Sequence, residues 1–351
     1  MENWAELHQD ILILIAKRVR FWEDFSTFRR VCRSWRSVAV KKNFKGCPQF
    51  PWLMLAEENN SDHRGLVSAT EGNVIGKLLL PEAKGKRCFE SLGWLITVSE
   101  TGDMNLLDPV SRVQIHLPHI STFKNHPEGN DLTTYFGYIR KAVLSSRPCV
   151  SSKDTNYVLM VIHESFRHLG FWRPGDKVWT NVETRGRDPI VVAHLCLEIP
   201  REVFKFKRPY IVESNGELLV VVRDGYDQDY LGDYVTLGED EVVDVCCGTT
   251  EFGVFKVDLS NWEWVELQSL GDNVLFVGDN DSISVRASEF HGIRPNCIYF
   301  TENFGPQYIY VKPGGGEDMC MYDMEDRSVD LYYVGGSFSP MCPPLWVRPY
   351  F

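Results

Sequence analysis

Four times along the chain, a run of strand-forming residues enters a polar turn and leaves as a second such run. The copies are LLDPVSRVQIHLP from Leu106, FWRPGDKVWTNV from Phe171, VFKVDLSNWEWVEL from Val254 and MYDMEDRSVDLYYV from Met321. Each reads as a hairpin: a residue that tolerates turn geometry, then a strand with an aromatic or β-branched centre. Aligned on Asp108, Arg173, Asp258 and Asp323, the first and last intervals are equal and the middle one is longer by about a third. Repeated antiparallel units must dispose of their edges. A radial arrangement does so while leaving only short, protected ones, so a kelch-like β-propeller is expected. A pair of β-sandwiches is the alternative. The middle interval is too long for one unit and too short for two.

The strand-rich texture begins after Pro48 and holds to the end, with no long amphipathic helix. Residues 1–45 read differently. Leu7, Ile11, Ile15 and Val19 recur every fourth residue, and Leu12 and Ala16 widen the stripe, so the spacing predicts a first helix. A second is predicted with Asp24 as N-cap and Phe25, Phe28, Val31, Cys32, Trp35 and Val38 along one side. Arg29, Arg30, Arg33 and Arg36 fall between these, giving the helix a basic outer face. The expected organisation is α+β and multidomain: a small helical module over 2–45, then an all-β, propeller-like domain over 48–351. So few helices cannot bury so apolar a set. Either the stripes pack on each other and on the β domain, or part is left for a partner helix or groove.

Charge narrows the function. The net charge is −11, yet residues 1–50 carry ten Lys/Arg against five Asp/Glu, leaving −16 for the remainder. General nucleic-acid binding needs a basic face and is not expected. No apolar run approaches the roughly 20 residues of a membrane span, and no secretory signal is legible. Ten cysteines without a regular framework fit an intracellular protein with reduced thiols, nuclear or cytoplasmic. The sequons at Asn59 and Asn280 are then expected to be unused.

Candidate chemistry is sparse. His116-x-x-His119 lacks further ligands at metal spacing, so no metal is expected. Cys246-Cys247 reads as buried strand packing. Gly314-Gly315-Gly316 completes no phosphate cradle, and no nucleophile elbow occurs. No cofactor or catalytic residue is expected. Residues 224–244 hold eight carboxylates and no Lys or Arg. That run is either a solvated loop or a docking surface for a basic partner, interleaved with Tyr226, Tyr230 and Tyr234.

Two resemblances organise these readings. Trp4-x-x-Leu7, Asp10-Ile11-Leu12, Ile15-Ala16, Arg18-Val19 and Phe28-Arg29-x-Val31-Cys32-Arg33-x-Trp35-Arg36 resemble an F-box. Leu7-His8 departs from the usual Leu-Pro. The rest is similar to the KIB-type β domain of a plant, SKIP-type F-box family, through Gly93-Trp94-Leu95, Arg173-Pro174-Gly175-Asp176, Val212-Glu213-Ser214-x-Gly216-Glu217-Leu218-Leu219, Phe255-Lys256-Val257-Asp258 and Pro344-Leu345-Trp346-Val347. The resemblance implies a non-catalytic substrate receptor that docks on a Skp-type adaptor, and through it on a cullin ubiquitin ligase. It also implies adaptor contacts drawn from Leu7, Ile11, Leu12, Ile15, Val31, Cys32 and Trp35. The substrate would be a protein, and a basic one where the acidic run takes part. The family usually carries a further strand-rich stretch between the equivalents of Val182 and Pro209, so part of a blade is expected to be missing. Two alternatives stand beside this reading: a degenerate paralogue that binds the adaptor weakly, and a propeller-type enzyme with a fused helical N-terminus.

Overall fold

In the computed structural model, residues 4–19, 22–44, 51–58, 61–124, 138–149, 156–163, 168–182, 208–224, 248–258, 260–261, 263–279, 282–290, 292–301, 318–337, 339 and 342–348 are described. Beyond the N-terminal helices they are mostly β, in five sheets that form a five-bladed propeller. The first sheet holds β1 (Trp52–Glu57), β2 (His63–Ser68) and β3 (Val74–Leu79), and is joined by the last strand, β21 (Leu345–Val347). The second holds β4 (Arg87–Ser91), β5 (Trp94–Val98), β6 (Met104–Leu107) and β7 (Gln114–His116). The third holds β8 (Ile139–Leu144), β9 (Leu159–His163), β10 (His168–Trp172) and β11 (Thr180–Val182). The fourth holds β12 (Arg208–Ser214), β13 (Glu217–Asp224), β14 (Glu251–Asp258) and β15 (Glu263–Leu267). The fifth runs β17 (Ser282–Arg286), β16 (Asn273–Val277), β18 (Cys297–Phe300), β19 (Cys320–Asp323), β20 (Val329–Leu331). Only β16 and β18 pair in parallel among the described strands.

The four repeats seen in the sequence are the outermost hairpins of four sheets: β6–β7, β10–β11, β14–β15 and β19–β20. The first and last of their turns share a mechanism. Asp108 Oδ1 accepts the Val110 amide at 2.9 Å, and the Arg112 amide donates to the Asp108 carbonyl at 2.8 Å. Asp323 repeats both bonds, its Oδ1 accepting the Glu325 amide at 2.8 Å and its carbonyl the Arg327 amide at 3.0 Å. Arg112 and Arg327 both close the turn at positive φ, 61° and 59°. The short aspartate side chain satisfies amides that a tight turn leaves without backbone partners. The first sheet carries a fifth copy. Ser68 Oγ takes the aspartate's place and accepts the Thr70 amide, and Gly72, at φ 64°, donates to the Ser68 carbonyl at 2.9 Å. Serine and glycine replace aspartate and arginine there, so an alignment on charged turn residues passes over it.

Alternation in the strands gives each sheet two apolar faces, and the core lies between neighbours. Met54 and Leu66 of the first sheet pack with Cys88, Leu95 and Leu107 of the second. Phe89, Ile96 and Leu106 meet Ala142, Leu159 and Trp172 of the third. Val212, Val221 and Val254 of the fourth meet Leu275, Ile298 and Phe300 of the fifth. Leu53, Val67 and Trp346 meet Val274 and Phe276, joining first to fifth. The ring is fastened where the C-terminal strand pairs β1, with Leu53 opposite Trp346. Trp346 is fully buried, donates Nε1–H to the Val277 carbonyl at 3.2 Å and meets the Phe276 ring edge-on at 4.9 Å.

Buried arginines lace the blades. Arg64 pairs with Glu57 at 2.8 Å and donates to the Ala83 carbonyl beside the second sheet. Arg87 donates to the Ile139 carbonyl of the third sheet and pairs with Asp279, at the end of β16, at 2.5 Å. Arg223 pairs with Asp318 at 2.6 Å and donates to the Thr301 carbonyl of the fifth sheet. Each guanidinium is desolvated, so each needs its carboxylate and carbonyl partners to be tolerated at all.

Candidate functional site

The N-terminal segment folds as α1 (Gln9–Ala16), α2 (Trp22–Arg30) and α3 (Arg33–Val38), preceded by a 3-10 turn over Trp4–Glu6. The predicted second helix is therefore two. Val31 and Cys32 form the break, with Cys32 fully extended at φ −160° and ψ −179° ahead of α3. Asp24 accordingly lies inside α2 rather than at its N-cap. Folding the two pieces back on each other brings the Phe28 and Trp35 rings together, tilted, with their centres 4.5 Å apart. Leu12, Ala16, Phe25, Phe28, Val38 and Ala39 form a core belonging to these helices alone. Trp35 Nε1 donates to the Trp4 carbonyl at 3.0 Å and pins the leading turn to α3.

His8 caps α1. Its φ of −59° lies in the range a proline would impose, and its Nδ1 accepts the Asp10 amide at 3.4 Å. The departure from Leu-Pro thus keeps the backbone of the helix start and adds a weak side-chain cap.

The seven residues singled out in the sequence divide. Leu12 is 1% exposed and belongs to the core, so as it stands it offers a partner nothing. Leu7, Ile15 and Trp35 are half-buried against the same core. Ile11 at 45% and Val31 at 54% stand in solvent, and Cys32 is intermediate. Periodicity alone passed over Leu14 and Trp4, both exposed. Leu14 follows Ile11 by three positions and so shares its face of α1. Arg29, Arg30, Arg33 and Arg36 are exposed, as the alternation of charge and apolar residues predicted.

On the propeller, a groove of about 400 Å³ opens at the outer part of the fourth sheet, beside the fifth. Val222, Phe255 and Trp264 supply apolar lining, and Asp224, Glu251 and Glu266 supply carboxylates. Arg327, also in the lining, is 3.3 Å from Glu251. The two histidines at metal-like spacing are engaged in separate hydrogen bonds. His116 Nδ1 meets Asn105 Oδ1 at 2.7 Å, while His119 caps the turn at Ile120–Thr122 and bonds the Thr101 carbonyl at 2.7 Å. Among the described residues, no three His, Cys, Asp or Glu side chains are grouped to hold a metal ion, and no helix is long and apolar enough to cross a membrane. The acidic run beyond Asp224, the Cys246-Cys247 pair, the triple glycine at 314–316 and both sequons lie outside the described residues.

Comparison with known proteins follows the same outline. The family described as the KIB1-4 beta-propeller matches residues 66–196 and 184–323. F-box protein SKIP23 of Arabidopsis thaliana is 26% identical over 411 aligned residues, which cover 99% of this chain and 96% of that protein. The probable F-box protein At4g22060, from the same plant, is 23% identical, covering 93% of this chain and 91% of its own length. The putative F-box protein At5g55150 is 23% identical, covering 99% and 97%. A family match over more than half the chain, on a ring of five sheets closed by the C-terminal strand, establishes that this chain belongs to the KIB1-4 β-propeller family.

Proposed function

We propose that the chain is the substrate-recognition subunit of a Skp-cullin-F-box ubiquitin ligase. In this reading residues 2–45 bind a Skp-type adaptor, which joins them to a cullin, and residues 48–351 bind a substrate protein. The observation that carries it is the exposed apolar set on helices that already have a core of their own: Ile11 and Leu14 on α1, and Val31 in the break before α3. A module this small gains nothing from exposing such side chains unless a partner covers them. The similarity to proteins named as F-box proteins supports the same assignment.

The mechanism asks no residue of this chain to make or break a bond. Holding a substrate and a charged ubiquitin carrier on one assembly raises their effective concentration and makes transfer nearly intramolecular. The carboxylates of the propeller groove, and the acidic run that leaves the fourth sheet at Asp224, favour a basic segment of the substrate.

Co-purification with a Skp-type adaptor tests the reading, using an Ile11→Asp/Val31→Asp double variant as the comparison. Both positions are exposed, so the variant should melt where the wild type does and lose the adaptor. Capture undiminished in the variant would remove these residues from the interface. A wild-type chain that captures no adaptor would overturn the receptor assignment itself.

A further inference from the structure

The groove on the fourth sheet owes its shape to one glycine. Along one face of that sheet the ladder sets side chains in rows. Val220 stands opposite Phe255, and Phe255 opposite Glu266. In the next row Val222 stands opposite Gly253, and in the last Asp224 stands opposite Glu251. Gly253 therefore leaves a notch between an aromatic row and a pair of carboxylates. The Phe255 ring borders it: a Cβ on Gly253 would lie 3.1 Å from Cε2 of that ring. The notch is also uncovered on its outer side. β15 ends at Leu267, opposite Val254, while β14 runs on past Gly253 to Glu251, paired there with β13 alone among the described strands. Leu267 and Gln268, where the outer strand stops, complete the wall of the groove.

The buried and exposed parts of the lining differ in chemistry. Val222 and Phe255 are buried, and Trp264 is half-buried on the same face, its ring edge-on to Phe255 with centres 5.3 Å apart. Glu251 and Glu266 stand in solvent. Asp224 and Glu251 are direct cross-strand partners, an unfavourable arrangement for like charges. Arg327 offsets part of it, 3.3 Å from Glu251. Three carboxylates against that one guanidinium leave the lining with two negative charges in excess.

An occupant that suits both parts carries a positive head on an apolar stem. A guanidinium suits the seat better than an ammonium group. It is planar, it stacks on aromatic rings, and its fork of donors reaches more than one carboxylate at once. The volume of about 400 Å³ lies near the lower end of ligand sites, roughly 300–1,000 Å³, so a single long side chain enters rather than a folded surface.

We propose that the groove over Gly253 seats one arginine side chain of the substrate protein, its stem against Phe255 and Trp264 and its guanidinium among Asp224, Glu251 and Glu266. The proposal rests on the reading of the propeller as the substrate-binding part, and narrows it from a basic segment to one arginine in a defined seat. Gly253 then determines specificity, because any side chain at that position would fill the seat.

The test is isothermal titration of the full chain with acetyl-Ala-Ala-Arg-Ala-Ala-amide, and with peptides carrying citrulline or lysine in place of the arginine. The arginine peptide should bind. Citrulline keeps the shape and loses the charge, so its peptide should bind about tenfold more weakly, and the lysine peptide several-fold more weakly. Glu266→Gln should weaken the arginine peptide several-fold at an unchanged melting temperature, since that side chain is exposed. Gly253→Val, which fills the notch, should weaken it as well. An arginine peptide that does not bind, or a citrulline or lysine peptide that binds as tightly, would overturn the proposal. So would variants that bind the arginine peptide like the wild type, which would move the contact to another acidic part of the chain. Adaptor capture is read on the same preparations. A chain that keeps the adaptor and ignores the peptide refutes this seat and leaves the receptor reading standing.

Discussion

Acid should destabilise this propeller through His163. The ring is fully buried on β9, 4.3 Å from Phe123, 5.3 Å from Tyr138 and 5.5 Å from His168 between ring centres. Neither ring nitrogen has a hydrogen-bond partner among the described residues. Burial, helped by the nearby His168, pushes its pKa down from 6.5 to about 4. A base held neutral in this way contributes stability that is present above its unfolded pKa and lost as the pH falls towards the folded one. At about 1.4 kcal/mol per pH unit of displacement, the full loss is about 3 kcal/mol, and about 2 kcal/mol of it is felt by pH 5. The experiment is urea denaturation of the wild type and of His163→Phe between pH 7.5 and 4.5. Phenylalanine suits the aromatic surroundings and cannot take up a proton. The variant should match or exceed the wild type at neutral pH, and its advantage should grow by about 2 kcal/mol at pH 5. Taking the difference cancels groups that titrate in both proteins, including Glu90, whose buried carboxyl is shifted upward and acts in the opposite direction. Two pH curves that run parallel would refute the argument.

Other positions test the packing. Trp346→Ala should cost about 3–5 kcal/mol in denaturant unfolding, because it empties the junction where the C-terminal strand fastens the ring. Asp318→Ala leaves the Arg223 guanidinium buried without its carboxylate and should cost about 3–5 kcal/mol by the same measurement. Gly72→Ala should lower the melting temperature more than Gly85→Ala does. Both glycines sit at φ near 64°, but a Cβ on Gly72 would lie 2.2 Å from the Tyr332 carbonyl oxygen while one on Gly85 would meet nothing within 4 Å. Equal losses would mean that only backbone strain matters at the two sites.

The repeat was legible because it is written in turns. Such a turn needs a short polar side chain at its start and a residue that accepts positive φ at its end, and Asp108 with Arg112 and Asp323 with Arg327 supply both. Strand alternation was legible for the same local reason. Ser68 with Gly72 does the same work with other residues, so one blade went uncounted until the sheets were seen. In the helical module, apolar spacing located the residues of the helix stripes but could not divide core from surface. Leu12 and Ile11 are neighbours in the chain, each apolar and each in helical register, yet one is core and the other surface.

Hairpins, strand faces, a basic amphipathic segment and the order of helices before sheets all follow from the amino-acid order, because each is set within a few residues. Other features depend on partners far away along the chain. The break at Val31 and Cys32 exists because α3 packs back on α1 and α2. The ring closes because Leu345–Val347, near the C-terminus, pairs with Trp52–Met54 at the start of the first sheet. On the third sheet, Val143 and Met160 are as apolar in the sequence as their neighbours Ala142 and Val161, yet the first pair is exposed and the second buried. Burial is a property of what arrives from elsewhere, and no local pattern of residues carries it.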